Sequence, residues 1–224
     1  ILLGKVVSEI GRASQGVVGS RNAWDPTRSP GTSSSGGGSA TAASMGLGSI
    51  GTDTGGSVRH PGSNSNLVAL LPTYGRISIF GVHGSALTTD QAGPITKIVE
   101  DNAIMMDILG VYDPKVSNSL LEPRYDHRAF LSDSIKGLRI GVPVDDWVWK
   151  DTLHGDEEDV CRKAITVLEE LGAYVTEVKL PRGGDCRSNL LSATGPAALH
   201  YLDHFTREQL AAWPEAAGGD AEGA

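Results

Sequence analysis

Apolar residues recur every three or four positions over residues 157–171, the clearest periodic pattern in the chain, and predict an amphipathic helix. Gly172 follows directly and is typical of a helix C-terminus. A second apolar stripe predicts a helix from about Thr96 to Leu109, and a run of small residues predicts a helix over Ala40–Met45. The apolar face of the helix predicted over residues 157–171 consists of Val160, Ala164, Val167, Leu168 and Leu171.

Short apolar runs between these helices predict β-strands, because each run is bounded by polar residues, glycine or proline. Strands that alternate with helices indicate an α/β layered fold. Residues 58–66 show neither pattern and are expected to be irregular. The predicted strands are residues 1–3, 47–52, 67–71, 77–80, 137–143 and 173–180.

The chain of 224 residues can bury a substantial core, and we expect a single domain over residues 1–224. Ile1–Leu3 already has the pattern of a buried strand and no initiator methionine precedes it, so we expect further residues upstream. Residues 214–224 are small and acidic and are expected to form a disordered tail.

Composition narrows the class of function. The net charge of -8 argues against binding nucleic acid through a broad basic surface. No apolar run approaches the roughly 20 residues that span a bilayer, and no signal peptide is visible, so we expect no membrane partner. Cys161 and Cys186 cannot form a disulfide framework, so free thiols in a reducing, cytoplasmic compartment are expected.

The strongest chemical signal is the concentration of glycine and serine between residues 22 and 72. Ser57 ends a glycine-rich turn after a predicted strand, where the backbone N–H groups of Thr54, Gly55, Gly56 and Ser57 can converge on one point. A hydroxyl beside such donors can act as a nucleophile with an oxyanion hole. The alternative is a tight structural turn in which Ser57 caps the next element.

Seven further segments follow one another in a recognisable order: residues 22–25, 28–34, 51–61, 70–76, 90–94, 136–143 and 167–175. Together they resemble the amidase signature family, and the resemblance extends to about residue 205. It implies a layered α/β fold with a mixed central sheet flanked by helices, of which this chain is a central part, incomplete at both ends.

The resemblance also implies a reaction, the hydrolysis of an amide through a serine acyl-enzyme without cofactor or metal. The family nucleophile maps onto Ser57, and the family's serine in a cis peptide maps onto Ser33. Anchoring on the downstream Gly-Gly-Ser-Ala would select Ser35 instead, but that alignment needs compensating gaps. The family's general-base lysine lies upstream of this chain, and Lys5 matches a different, non-catalytic lysine.

From the glycine-rich turn itself we expect the amides of Thr54, Gly55 and Gly56 to form the oxyanion hole, and Ser34, Asp53 and Arg59 to support the site. We expect Asp53 and Arg59 to brace the loop by hydrogen bonds and an ion pair. The partner would be a small-molecule amide, and the oligomeric state is left open, with a homodimer among the alternatives.

Two segments depart from the family pattern: Gly62–Asn66 stands for Ala-Ala-Phe-Cys-Gly, and Ala69–Pro72 for Gly-Leu-Lys-Pro. These departures argue against the branch formed by the A subunits of tRNA-dependent amidotransferases. Because the lysine is missing, a catalytically inactive fragment or pseudoenzyme of the same family is the alternative function.

Other readings of single motifs are weaker. Asp53-Thr54-Gly55 is the aspartic-protease tripeptide, but that chemistry needs two facing aspartates and this chain has one copy. His60 follows Ser57 closely, but its neighbour Pro61 favours a surface or structural role. His200 and His204 have a zinc-compatible helical spacing, but no third ligand follows, so no metal is expected.

Overall fold

The computed structural model describes residues 1–7, 19–82, 88–132, 134–144, 149 and 155–180. The described residues form two units, one up to Leu131 and one from Ser132 onward. The single domain expected over residues 1–224 stays a prediction. Residues 214–224, Cys186, His200 and His204 lie outside the described part of the chain.

The first unit is built on a three-stranded antiparallel sheet of order β1-β3-β2. In β1, Gly48–Asp53, residue Gly48 pairs with Thr96 and Asp53 with Gln91; in β2, Val68–Ala69, residue Val68 also pairs with Thr96. Five of the six residues of the central strand are buried, so this strand is covered on both faces. The elements are α1 Ser35–Ala42, β1, α2 Arg59–Asn64, β2, β3 Gln91–Thr96, α3 Val99–Leu109 and a 3-10 helix His127–Phe130.

The apolar core of this unit lies between β3 and α3. Ala92 of β3 and Met106 of α3 pack with Ile77, and the partly buried Ile79 and Leu109 extend the cluster. Ile95 and Val58 are fully buried as well. A Cβ at Gly51 of β1 would lie 3.0 Å, and one at Gly93 of β3 would lie 3.3 Å, from the methyl carbons of Val58. Val58, which directly precedes α2, therefore packs the end of the segment between β1 and α2 against the sheet.

The second unit pairs two parallel strands, β4 Arg139–Pro143 and β5 Tyr174–Val178. Parallel strands need a long crossover connection, and α4, Gly155–Glu170, lies between them in the chain. Arg139 pairs with Tyr174 and Pro143 with Val178. The sequence pattern predicted all three elements to within about two residues at each end.

The expected mixture of helices and strands is confirmed, but its details differ. Among the described residues the antiparallel pairs lie in the first unit and the parallel pair in the second. Ile1–Leu3, predicted as a buried strand, is exposed and outside any strand, and residues 77–80 also form no strand. Both runs are rich in apolar residues, but apolar character alone does not supply a strand with a pairing partner.

The predicted helix boundaries were wrong in the region of small residues. Helix α1 starts at Ser35 and includes Gly36–Gly38, and residues 59–64, expected to be irregular, form α2. Glycine weakens a helix by about 1 kcal/mol relative to alanine, so tertiary contact stabilises α1. No helix in the described ranges has the length and apolar character needed to cross a membrane.

Candidate active site

Three consecutive glycines allow α1 to approach its neighbours more closely than other residues would. A Cβ at Gly37 would lie 2.8 Å from Ser49 Oγ on β1, and one at Gly38 would lie 3.0 Å from Pro61 Cβ on α2. Distances this short are tighter than van der Waals packing allows for a methyl group. The glycines therefore bring the start of α1 against both β1 and α2.

Ser33 lies two residues before α1, and the peptide bond between Thr32 and Ser33 is cis. The cis bond is at the position that the family resemblance assigns, and not at Ser35. Ser33 is 6% exposed and lies next to Ser34. The Ser34 hydroxyl donates to the carbonyl of Thr52 at 3.2 Å and accepts from its N–H at 3.0 Å. This reciprocal pair holds the Ser33 segment on β1.

A backbone hydrogen bond joins the two serine motifs. The N–H of Ser34 donates to the carbonyl oxygen of Ser57 at 3.2 Å. Ser57 itself is half-buried, so part of it faces solvent. Residues that are distant in the sequence therefore meet, although the roles assigned to Ser33 and Ser57 stay predictions.

Asp53 organises the turn that carries Ser57. Its carboxylate accepts from the backbone N–H of Gly56 at 2.6 Å and of Val58 at 3.0 Å. The guanidinium of Arg59 donates to both of its oxygens, at 3.1 and 3.0 Å. The ion pair expected between Asp53 and Arg59 is therefore present.

The charge of Asp53 is stabilised even though the residue is only 1% exposed. Burial raises the pKa of Asp53, but the side-chain hydrogen bond from Arg59 and the amides of Val58 and Gly56 lower it more. The net result is a pKa below the usual value. An ionised carboxylate with several N–H donors is the arrangement that physical chemistry favours for a buried acid.

The same network engages one of the amides that were expected to bind an oxyanion. The N–H of Gly56 donates to Asp53 at 2.6 Å, and the role of this amide in an oxyanion hole stays a prediction. In the described part of the chain, the N–H groups of Thr54, Gly55 and Ser57 donate no hydrogen bond to the carboxylate of Asp53. Gly56 has φ +127°, so its requirement for glycine comes from the backbone conformation of the turn.

Sequence reasoning missed the contribution of Asp90. The hydroxyl of Thr54 donates to Asp90 Oδ1 at 2.5 Å, and Asp90 is buried. Pairing of Asp53 with Gln91 at the end of the sheet places Asp90 beside the Thr54 turn. Asp90 opens one of the segments that carry the family resemblance, but only the strand register identifies Thr54 as its partner.

The remaining candidates lie apart from this network. His60 is exposed, and its backbone N–H donates to Gly56 O at 2.7 Å, which agrees with the structural role expected for it. Lys97 donates to Ser44 Oγ, and the ammonium of Lys115 lies 4.8 Å from the ring centroid of Phe80. Both lysines thus have partners outside the Ser33 and Ser57 segments. Three or more metal-ligating side chains do not cluster anywhere in the described ranges.

Comparison with known proteins gives a consistent result. The family model described as Amidase matches residues 11–216. The A subunit of glutamyl-tRNA(Gln) amidotransferase from Syntrophobacter fumaroxidans is 48% identical over 164 residues, which cover 73% of this chain and 33% of that protein. The same protein from Rubrobacter xylanophilus is 42% identical over 164 residues, 73% of this chain and 34% of that protein. The chain thus spans about a third of the length of these curated relatives.

Solved structures show the same fold. The crystal structure of the A subunit of glutamyl-tRNA(Gln) amidotransferase from Thermotoga maritima has a TM-score of 0.76 and 30% identity, over 85% of this chain and 42% of that one. The peptide amidase from Stenotrophomonas maltophilia has a TM-score of 0.74 and 26% identity, over 91% of this chain and 45% of that one.

The curated relatives reported above are A subunits of an amidotransferase, the branch that the two local departures were expected to argue against. The departures are also not independent, because Gly62 stands for a family alanine and Ala69 for a family glycine. A Cβ at Gly62 would overlap the Cβ of Ala69. Moving one methyl group from α2 to β2 accounts for part of both differences, so they carry less weight than two separate changes.

Proposed function

Since this chain belongs to the amidase family, we propose that it carries the nucleophile of an enzyme that hydrolyses a carboxamide C–N bond through a serine acyl-enzyme. The observation that supports this proposal most directly is the hydrogen bond from Ser34 N–H to Ser57 O at 3.2 Å. This bond holds the segment of Ser33 against the turn of Ser57. A proton relay between two serine hydroxyls needs the two residues close together.

In the proposed reaction, Ser57 Oγ attacks the amide carbonyl carbon and its proton passes to Ser33 and on to a lysine. The N–H groups of Thr54, Gly55 and Ser57 stabilise the negative oxygen of the tetrahedral intermediate. The C–N bond then breaks as the nitrogen takes up a proton, and an acyl ester remains on Ser57. Water hydrolyses this ester and returns the hydroxyl, so no cofactor takes part.

Asp53 contributes by fixing the turn before substrate arrives. Its hydrogen bonds to the amides of Gly56 and Val58 hold the backbone between them, which includes Ser57. Donors that are already oriented need no reorganisation in the transition state, and this is the main source of their catalytic effect. Asp90 adds a second fixed point through Thr54 Oγ1.

A second candidate is favoured by the curated relatives, which are subunits of an amidotransferase. In that function the same acyl-enzyme chemistry would release an amide nitrogen for transfer, and the chain would work with partner subunits. Hydrolysis rates with glutamine and with a C-terminal peptide amide distinguish the two candidates. An amidase that works without partner subunits, as a peptide amidase such as the solved one would, should prefer the peptide amide.

The test of the proposal is the substitution Ser57→Ala, assayed by aniline release from a generic anilide. We expect a loss of about 10⁴-fold or more in kcat, since removing a serine nucleophile typically costs this much. Ser63→Ala is the matched control, because Ser63 is exposed on α2 beyond the turn.

Full activity of Ser57→Ala would contradict the proposal. If the unsubstituted protein neither hydrolyses the anilide nor reacts with a fluorophosphonate at Ser57, the catalytically inactive alternative is correct.

A further inference from the structure

We infer that Asn22 is a positioning residue. It holds residues 29–33, the segment that ends at Ser33, at a fixed position along α2, the helix that follows the Ser57 turn. The inference rests on the proposed function only for its catalytic consequence. We call the hydrogen bonds made by the side chains of Asn22 and Trp24 the Asn22 clamp, and these bonds are observed whether or not the proposed function is correct.

The side chain of Asn22 joins two distant backbone segments. Its Nδ2 donates to the carbonyl of Asn64 at 2.7 Å and to the carbonyl of Ser29 at 3.3 Å. Its Oδ1 accepts from the N–H of Trp24 at 2.9 Å, and the residue is buried. Asn64 is the last residue of α2, where carbonyl groups lack helical partners. Asn22 therefore ties the end of α2 to the chain that leads toward Ser33.

A second bridge runs beside the first. Trp24 Nε1 donates to the carbonyl of Ser65 at 2.8 Å, and Ser65 Oγ donates to the carbonyl of Pro30 at 3.3 Å. Ser65 is fully buried. The carbonyls of two successive residues, Ser29 and Pro30, are thus held by groups on or beside the C-terminal end of α2.

From this end the Ser33 segment runs along the helix toward its N-terminus. Gly31 has φ +88°, and a Cβ there would lie 2.7 Å from backbone atoms of His60 and Pro61. The backbone at Gly31 is therefore packed directly on the first turn of α2. Ser33 follows two residues later, and the Ser57 turn precedes the same helix end. A shift of this segment along α2 would move Ser33 relative to Ser57.

Asparagine has the chemistry that this position needs. Two N–H donors and one carbonyl acceptor on a single short side chain meet two carbonyls and one N–H. Aspartate has the same shape, but it would place an oxygen against the carbonyls of Ser29 and Asn64. Asn22→Asp therefore removes two hydrogen bonds with little change in volume.

Amide hydrogen exchange in the full chain tests the clamp without any need for activity. The reporter is the N–H of Ser34, which bonds to Ser57 O, and the reference is the N–H of Gly110, which bonds to Met106 O at the end of α3. In Asn22→Asp we expect the Ser34 amide to exchange at least about tenfold faster relative to Gly110, because lost buried hydrogen bonds shift local opening by this order.

Asn66→Asp is the matched control, since it adds the same charge near the same helix end at an exposed residue. We expect it to leave the ratio of the two exchange rates unchanged. Trp24→Phe removes only the bond to Ser65, so it gives a smaller increase and serves if Asn22→Asp does not fold. An unchanged ratio in these clamp variants, including equal acceleration of both amides, would overturn the inference.

Reaction of Ser57 with a fluorophosphonate, followed in the same samples, gives the catalytic consequence. We expect the labelling rate to fall in Asn22→Asp and to stay unchanged in Asn66→Asp. If the unsubstituted protein is not labelled, the proposed function fails, while the exchange ratio still decides whether Asn22 holds the segment. If labelling is normal in Asn22→Asp despite a faster Ser34 amide, the positioning role is wrong.

Discussion

Helices α1 and α4 show opposite relations between sequence pattern and burial. α1 consists of serine, glycine, alanine and threonine, with no apolar stripe, yet six of its eight residues are buried. α4 has the clearest amphipathic pattern in the chain, yet none of its described side chains is buried. Val160 and Val167, on its apolar face, are 64% and 50% exposed.

The difference shows that two kinds of information fix these helices. An apolar stripe with period 3.6 identifies α4 as a helix but does not supply the surface that covers it. α1 is held by close approach of its glycines and by hydrogen bonds at its N-terminal side, such as the bond from Gly36 N–H to Val7 O at 3.0 Å. The segments of the candidate active site are likewise held by close backbone contacts and hydrogen bonds, not by an apolar stripe.

The largest effect on stability is expected for Asp53→Asn, which breaks the hydrogen-bonded side of this comparison. The substitution removes the ion pair with Arg59 and points an N–H₂ group at backbone donors. We expect a loss of about 2–4 kcal/mol in the free energy of unfolding, measured with urea, because unpaired buried polar groups cost this much.

Asp53→Asn also changes the pH dependence of stability. The pKa of Asp53 in the folded chain is lowered, so its contribution is present above the unfolded value of about 4 and disappears as the pH falls through the folded value. The variant should lack this part of the acid destabilisation. Asp25→Asn is the control, since Asp25 is half exposed and also accepts from a backbone N–H. Equal effects of the two substitutions would contradict this view of Asp53.

A smaller effect is expected for Gly62→Ala on α2, where the added methyl group would overlap that of Ala69 on β2. Overpacking of this kind costs about 1–3 kcal/mol. Ala69→Gly in the same chain should restore most of the loss, because it removes the opposing methyl group. A double-mutant cycle of unfolding free energies measures this coupling. Additive losses would show that the two positions do not exchange one methyl group.

The sequence predicted the elements of the second unit well and those around the site less well. β4, α4 and β5 follow apolar periodicity, which is visible in one dimension. The helical state of Gly36–Gly38 depends instead on contacts with β1 and α2, which local preference does not contain. Of the site, the ion pair of Asp53 with Arg59 was expected, whereas the bond from Thr54 to Asp90 depends on strand register.

The smallest effect is expected for Val167→Thr on the apolar face of α4. Threonine has nearly the same shape as valine, and a hydroxyl on a half-exposed position can be hydrated. We therefore expect a change of less than about 0.5 kcal/mol in the free energy of unfolding, as is usual for surface substitutions. Urea unfolding of the full chain measures this change in free energy, and hydrogen exchange of the α4 amides reports it locally. A loss above about 1 kcal/mol would mean that Val167 is covered in the folded protein. The contrast between α1 and α4 would then reflect what covers each helix and not how it is built.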